Sequence, residues 1–380
     1  MKKVSAFTFY LLYYAALACL MPFVVLYYQH LGFTGAQIGL LAGMSPLIAL
    51  VGAPLWTGIA DATRHHKSIL SLTIAAAVVL ALVFPILKTL GPVVLLVALY
   101  SFFVAPIVSL ADSATLSMLA GAKEMYGRVR LGGTIGWGLA APVAGMLVQA
   151  YGLKLAFWSY AALMFLALVS QRFVSGTSAG GASVQGGIRT LLANRRWMLF
   201  LVMAFVSGMG FASINTYLFP YMKELKASET TMGIALTIST LSELPVLFFA
   251  NRLLRQFKAH GLFVLAMIFT GVRLLLYAAF NFPAGVLVCQ ILNGFTFPAV
   301  WVAGVSYADE NAPAGMKATA QGLFGAMVFG FGAAAGGLVG GLLLESTGGR
   351  GMYLFFGVIV LVSVAIITLI ERRLSAEQQG

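Results

Sequence analysis

Four ionisable residues, Asp112, Arg130, Glu243 and Arg273, stand in or against long apolar runs. A charge in hydrocarbon costs several kcal/mol and survives when it is paired or faces a water-filled cavity, so each of these residues is a functional candidate by default. Two acids and two bases make a balanced set, one of each sign in each half of the chain. Desolvation strengthens a carboxylate's hold on a proton and a neighbouring arginine weakens it, so a site that alternates the two can load and release protons. Asp112 and Glu243 are therefore candidate proton-coupling groups, with Arg130 and Arg273 as charge partners and contacts for a ligand. A second use fits the same residues: fixed ion pairs that specify helix packing. Arg130 could also simply close a loop, and Arg273 could snorkel outward.

Other polar and aromatic positions surround this set. Trp137 lies seven residues, about two helical turns, beyond Arg130 and so shares its face. An aromatic plane beside a cation recognises rings and hydroxyls, although a tryptophan in a span also serves packing. Asn293 and Thr296, one turn apart, suit hydrogen bonding either to a ligand or between helices. Tyr13, Tyr14 and Asn215 are further binding candidates by their place in the first and seventh apolar runs. Catalysis finds no footing: His30, His65, His66 and His260 fall in loops, and no metal-ligand spacing, nucleophilic constellation or nucleotide-binding loop is visible. Cys19 and Cys289 sit inside apolar runs and give neither a disulfide framework nor a metal site. No cofactor or metal is expected.

The elements that must position these side chains follow from composition. With 380 residues, 61% hydrophobic and 9% charged, the chain cannot clothe soluble domains. Apolar runs of spanning length lie at about 7–28, 38–60, 69–87, 93–118, 131–150, 155–174, 197–220, 231–250, 261–280, 285–308, 318–344 and 351–370. This predicts an all-α membrane protein of twelve transmembrane helices. The Gly- and Ser-rich stretch from Ser175 to Ser183 divides them into a bundle over 1–174, a cytosolic linker over 175–196 and a bundle over 197–380. With the N-terminus inside, sixteen Lys and Arg fall in cytosolic segments and five in outer loops, which places both ends in the cytosol of a bacterial-type plasma membrane. The basic N-terminus reads as the flank of an uncleaved first span rather than as a signal peptide. The +12 net charge is spread over many short loops and reads as topology rather than a nucleic-acid surface.

A shift of 197 superposes Val108-Ser109-Leu110-Ala111-Asp112 on Val305-Ser306-Tyr307-Ala308-Asp309, and a shift of 196 superposes Gly145 and Gly152 on Gly341 and Gly348. Repeated six-helix halves predict a ligand site between pseudo-symmetric bundles and alternating access to it. Glycines stud span five (Gly132, Gly136, Gly138, Gly145) and span eleven (Gly325, Gly330, Gly332, Gly336, Gly337, Gly340, Gly341), which permits close helix approach, for sliding or for static packing.

The segment from Pro54 to Lys67 resembles the loop between spans two and three of the major facilitator superfamily, where an aspartate and a basic cluster latch the cytosolic side. The resemblance implies a latch of Asp61, Arg64 and Lys67, with Thr57, Ala62 and Arg64 departing from the usual pattern. The run Tyr126-Gly127-Arg128-Val129-Arg130-Leu131-Gly132-Gly133-Thr134-Ile135-Gly136-Trp137 is similar to that of the lactose permease group of oligosaccharide and proton symporters. That similarity implies sugar contact by Arg130 and Trp137, a sugar-binding carboxylate at Asp112 and a buried arginine at Arg273. Asn293 and Thr296 stand where that group has its coupling histidine and glutamate. Asn293-Gly294-Phe295-Thr296-Phe297 and Ser242-Glu243 look more like the phenylpropionate permease type.

The expected protein is a monomeric secondary transporter in membrane lipid, taking up a small polar organic solute such as a glycoside, nucleoside or aromatic acid together with protons. An uncoupled facilitator, an exporter of amphipathic compounds and a membrane solute sensor are the rivals.

Overall fold

A computed structural model describes residues 2–119, 125–171, 191, 193–313 and 316–377. Most of the expected linker, along with Lys123, Glu124, Arg172 and Arg189, lies outside the described residues. A backbone in hydrocarbon must satisfy its own N–H and C=O groups, and the described residues accordingly form helices and no strand. In chain order these are α1 (Lys2–His30), α2 (Gly35–Thr63), α3 (His66–Val83), α4 (Leu90–Val104), α5 (Ile107–Met118), α6 (Tyr126–Tyr151) and α7 (Lys154–Gln171). There follow α8 (Arg195–Glu224), α9 (Glu229–Phe248), α10 (Ala250–Ala279), α11 (Pro283–Cys289), α12 (Phe297–Asn311), α13 (Lys317–Gly325) and α14 (Ala333–Glu377).

Eleven helical stretches are long and apolar enough to cross a membrane, and the last, 317–373, holds two spans separated at Gly348 (φ 69°). Among the described residues the count thus agrees with the expected twelve. Local chemistry explains the ends. Thr34 caps α2 in a reciprocal box with Gln37, and Asn194 caps α8 by accepting from Arg196 and Trp197 N–H groups at 3.0 and 3.2 Å. α2 stops at Arg64, which adopts the left-handed conformation at φ 57°.

Three spans are less regular than the apolar pattern suggests. The fourth breaks at Ala105–Pro106, because proline cannot donate into the helix ladder. The tenth tightens into a 3₁₀ segment at Gln290–Phe295, and the eleventh widens into a π segment at Ala326–Gly332. Such departures from the α ladder are frequent at functional sites.

Two compact units result: Met1–Ala182 with Ala227–Thr237, and Ser183–Lys226 with Ile238–Gly380. Within the first, the opening turns of α9 lie on α6. A Cβ on Gly145 would come 2.4 Å from the Glu229 carbonyl oxygen, and Gln149 accepts the Thr230 hydroxyl at 2.7 Å. The most buried spans are α1 and α8, each with 72% of its most apolar window inside the protein, whereas α2 and α9 have 28%. α1 packs on α6 and α7 in the first unit, and α8 packs on α14 in the second. These inner helices carry or border the polar side chains.

Candidate functional site

In the first unit, α1, α5 and α6 bring one acid, one base and two tyrosines together. Tyr10 donates to Asp112 Oδ1 at 2.6 Å and also lies 3.3 Å from Thr115 Oγ1. Arg130 Nε is 3.8 Å from the same Asp112 oxygen, and its Nη2 donates to the Tyr14 hydroxyl. The guanidinium sits over two rings, with its carbon 4.3 Å from the Tyr14 centroid and 5.1 Å from that of Tyr10. Such cation–π stacking holds a guanidinium flat while leaving other N–H groups free to bond. The side chains of Arg130 and Asp112 remain 30% and 29% exposed, so the pair is accessible from one side.

This geometry depends on glycine. A Cβ on Gly136 would fall 2.1 Å from the Leu11 carbonyl oxygen, which is why α1 and α6 approach so closely. Gly133 makes the space next to the cluster itself: a Cβ there would be 2.7 Å from the Tyr14 ring and 2.8 Å from Arg130 Nη1.

In the second unit, Arg273 of α10 is 1% exposed and surrounded by neutral acceptors. Its Nε donates to the Tyr277 hydroxyl at 2.9 Å, and its Nη1 to Asn293 Oδ1 at 2.5 Å and Thr296 Oγ1 at 3.1 Å. Its Nη2 donates to Gln290 Oε1 at 2.6 Å. Asn293 then turns its other end outward, and Nδ2 donates to Glu243 Oε1 at 2.7 Å. One amide therefore bridges cation and carboxylate. The 3₁₀ segment accounts for the cage, since three residues per turn put Gln290, Asn293 and Thr296 on one face.

The remaining candidates are more dispersed. Trp137 is half-buried on α6, and the rings against Arg130 are those of Tyr10 and Tyr14. Asn215 is exposed on α8. At the α2–α3 loop, Asp61 Oδ1 meets His66 Nε2 at 2.7 Å, Arg64 serves as the helix cap, and Lys67 is exposed. Asp309, the repeat partner of Asp112, pairs with Lys317 at 2.6 Å.

Tyr10, Thr115, Tyr277 and Gln290 are not candidates on sequence grounds, and His66, which the sequence places only in a loop, opens α3 against Asp61. Tyr10 sits four residues before Tyr14, and Tyr277 four after Arg273, the spacing of one helix face. Gln290 precedes Asn293 by three, as Asn293 precedes Thr296. That period carried the signal.

Hydrogen-bonded charges inside apolar helices, in a chain of two compact helical units, fit a membrane transporter. Comparison with known proteins gives the family. Residues 4–355 match the model of the MFS_1 like family, and the chain belongs to that family. The maltose permease of Geobacillus stearothermophilus is 29% identical over 368 residues, covering 96% of this chain and 93% of its own. An uncharacterized transporter of Bacillus subtilis, YwbF, is 24% identical over 373 residues, covering 92% and 89%. In fold, the crystal structure of the nucleoside transporter NupG matches with a TM-score of 0.84 over 97% of this chain and 98% of its own, at 18% identity. The chain is thus a membrane transporter of that family.

Proposed function

We propose that this transporter takes up a small, hydroxylated organic solute, a glycoside or nucleoside, in symport with protons across a bacterial-type plasma membrane. The observation that carries the reading is the partly exposed pair of Asp112 and Arg130, packed with Tyr10 and Tyr14. A carboxylate and a fork of N–H donors beside aromatic faces are what a ring bearing hydroxyls requires. The name of one relative, a maltose permease, and that of a fold neighbour, a nucleoside transporter, fit that chemistry. The likeness of the Tyr126–Trp137 run to the lactose permease group points the same way, with Trp137 and Asn215 as outlying contacts.

Glu243 is the second coupling carboxylate in this reading, held by the Asn293 amide whose oxygen Arg273 fixes. Arg273, Asn293 and Thr296 are at most 7% exposed, which favours a role in holding Glu243 over direct contact with solute. Asp61, with His66, Arg64 and Lys67 around it, would latch the cytosolic end. Both termini lie in the cytosol, two bundles flank the linker over 175–196, and the monomer is the working unit.

The test is solute-driven proton movement in proteoliposomes loaded with a pH-sensitive dye, using maltose and uridine as probes. Inward gradients of a transported solute should acidify the lumen, and Asp112→Asn or Glu243→Gln should abolish this while leaving solute binding detectable. Solute accumulation unaffected by collapse of the proton gradient would overturn the symport reading, and solute extrusion driven by that gradient would make the protein an exporter.

A further inference from the structure

We propose that the groove where α9 turns into α10 is a binding site for an anionic phospholipid. The inference does not rest on the transport reading. α9 ends at Phe248, the chain turns at Phe249, and α10 is interrupted at Lys258, a non-glycine residue with φ 57° and ψ 164°. Residues 250–257 therefore form a separate stretch of about two turns at the end of two spans.

This stretch is basic without compensation. Arg252, Arg255 and Lys258 are exposed, and the sequence contains no acidic residue between Glu243 and Asp309. The acid from a neighbouring helix, Glu371 of α14, faces His260 at 3.0 Å. Alongside the cations lie large exposed aromatics. Phe248 is 82% exposed and meets Phe249 edge to face at 5.0 Å, and Phe257 is 39% exposed. Exposed phenylalanines beside arginines suit a segment at the membrane interface, with the rings towards the acyl chains and the charges towards the headgroups.

Beneath them is a cavity of about 330 Å³. Val246, Phe249, Leu253 and Phe295 make its apolar walls, and Arg252 and Gln256, one turn apart on the same face, bring a charge and an amide to it. A soluble anion would gain nothing from the apolar walls, and an apolar ligand would leave the arginines without a counter-charge. A phospholipid satisfies both, with its phosphate against Arg252 and Arg255 and the upper part of an acyl chain along the groove. A net negative headgroup is selected because nothing acidic on this segment offsets the three cations.

The test is native mass spectrometry of the delipidated, full-length protein, titrated with phosphatidylglycerol and with phosphatidylcholine. A basic residue near an anionic surface contributes roughly a fivefold change in affinity, so Arg252→Gln with Arg255→Gln should weaken phosphatidylglycerol retention about 25-fold. Phosphatidylcholine retention should stay as it was. Both arginines are exposed, so the double variant keeps its fold, which its melting temperature would verify. Equal retention of the two lipids by the unaltered protein would overturn the proposal. So would undiminished phosphatidylglycerol retention by the double variant, or displacement of the lipid by free glycerol phosphate.

Discussion

Replacing Arg273 with methionine removes the centre of the buried polar cage and leaves its acceptors behind. Four side chains lose a donor, but they lose it unequally. Thr296 keeps the bond its hydroxyl makes to the Asn293 carbonyl at 2.8 Å, and the Tyr277 hydroxyl can rotate. Asn293 Oδ1 keeps only a long 3.4 Å approach from the Thr296 hydroxyl, whose one proton already serves the Asn293 carbonyl, and Gln290 Oε1 keeps no other donor among the described residues; each orphaned buried acceptor costs about 1–3 kcal/mol, so the variant should lose about 2–6 kcal/mol. Gln290 makes the argument sharper, since its Nε2 already lacks a hydrogen-bond partner among the described residues. Adding Gln290→Met to Arg273→Met removes one orphan and should restore about 1–3 kcal/mol, whereas Gln290→Met alone should destabilise. Titration with sodium dodecyl sulfate, followed by loss of helical circular dichroism, would complete the double-mutant cycle. If the two single effects add to within about 0.5 kcal/mol, or if Arg273→Met unfolds no sooner than the parent, the cage is not what holds this region.

Other substitutions probe other parts of the fold. Gly136→Leu must push α6 away from the Leu11 carbonyl, and should lower the melting temperature and abolish transport together; normal activity in this variant would mean the helices do not approach as described. Tyr10→Phe removes one hydrogen bond to a half-exposed carboxylate that water can replace, so stability should fall by no more than about 1 kcal/mol while solute affinity or proton coupling changes clearly. Unaltered transport kinetics would exclude the hydroxyl from the site. Arg64→Gly relieves the left-handed cap of α2 and should stabilise by about 0.5–1 kcal/mol, a gain that disappears if Arg64 also serves a latch. Lys317→Gln breaks an ion pair whose side chains are 63% and 41% exposed, and should change the melting temperature by less than the variants above, with the difference vanishing in high salt.

What could be read from the amino acids and what could not divide along a physical line. Hydrocarbon imposes its demands residue by residue, so span number and the rarity of Asp112, Arg130, Glu243 and Arg273 are visible in one dimension. The glycines of span five were visible too, but not their separate duties: Gly136 admits a neighbouring backbone, while Gly133 clears room for the Arg130 guanidinium over Tyr14. Partner choice was legible only where it follows helical spacing. Arg273 looked like the natural counter-charge for Glu243, yet an asparagine stands between them, because the 3₁₀ turn at Gln290–Phe295 aligns a column of amides that a regular helix would have fanned out. That turn carries no proline to announce it. The same holds for Asp61, whose partner is His66 rather than Arg64, since a residue spent on capping a helix in the left-handed conformation has its backbone, not its charge, put to use.

The two polar groups differ in a way that bears on coupling. Around Arg130 the guanidinium is shared between an acid and two tyrosine faces and stays partly accessible, so a ligand hydroxyl can compete for its donors at modest cost. Around Arg273 every acceptor among the described residues is buried and neutral, and the Asn293 amide joins the arginine to the Glu243 carboxylate. Neutralising Glu243 removes the charge that Nδ2 of Asn293 addresses, while Oδ1 stays pinned by Arg273, so the response must come from the carboxyl group or from α9 rather than from the arginine. Glu243→Gln should therefore leave the cage and its stability nearly intact and alter the proton dependence of transport. A large loss of stability in Glu243→Gln, comparable to that in Arg273→Met, would instead make Glu243 a structural member of the cage.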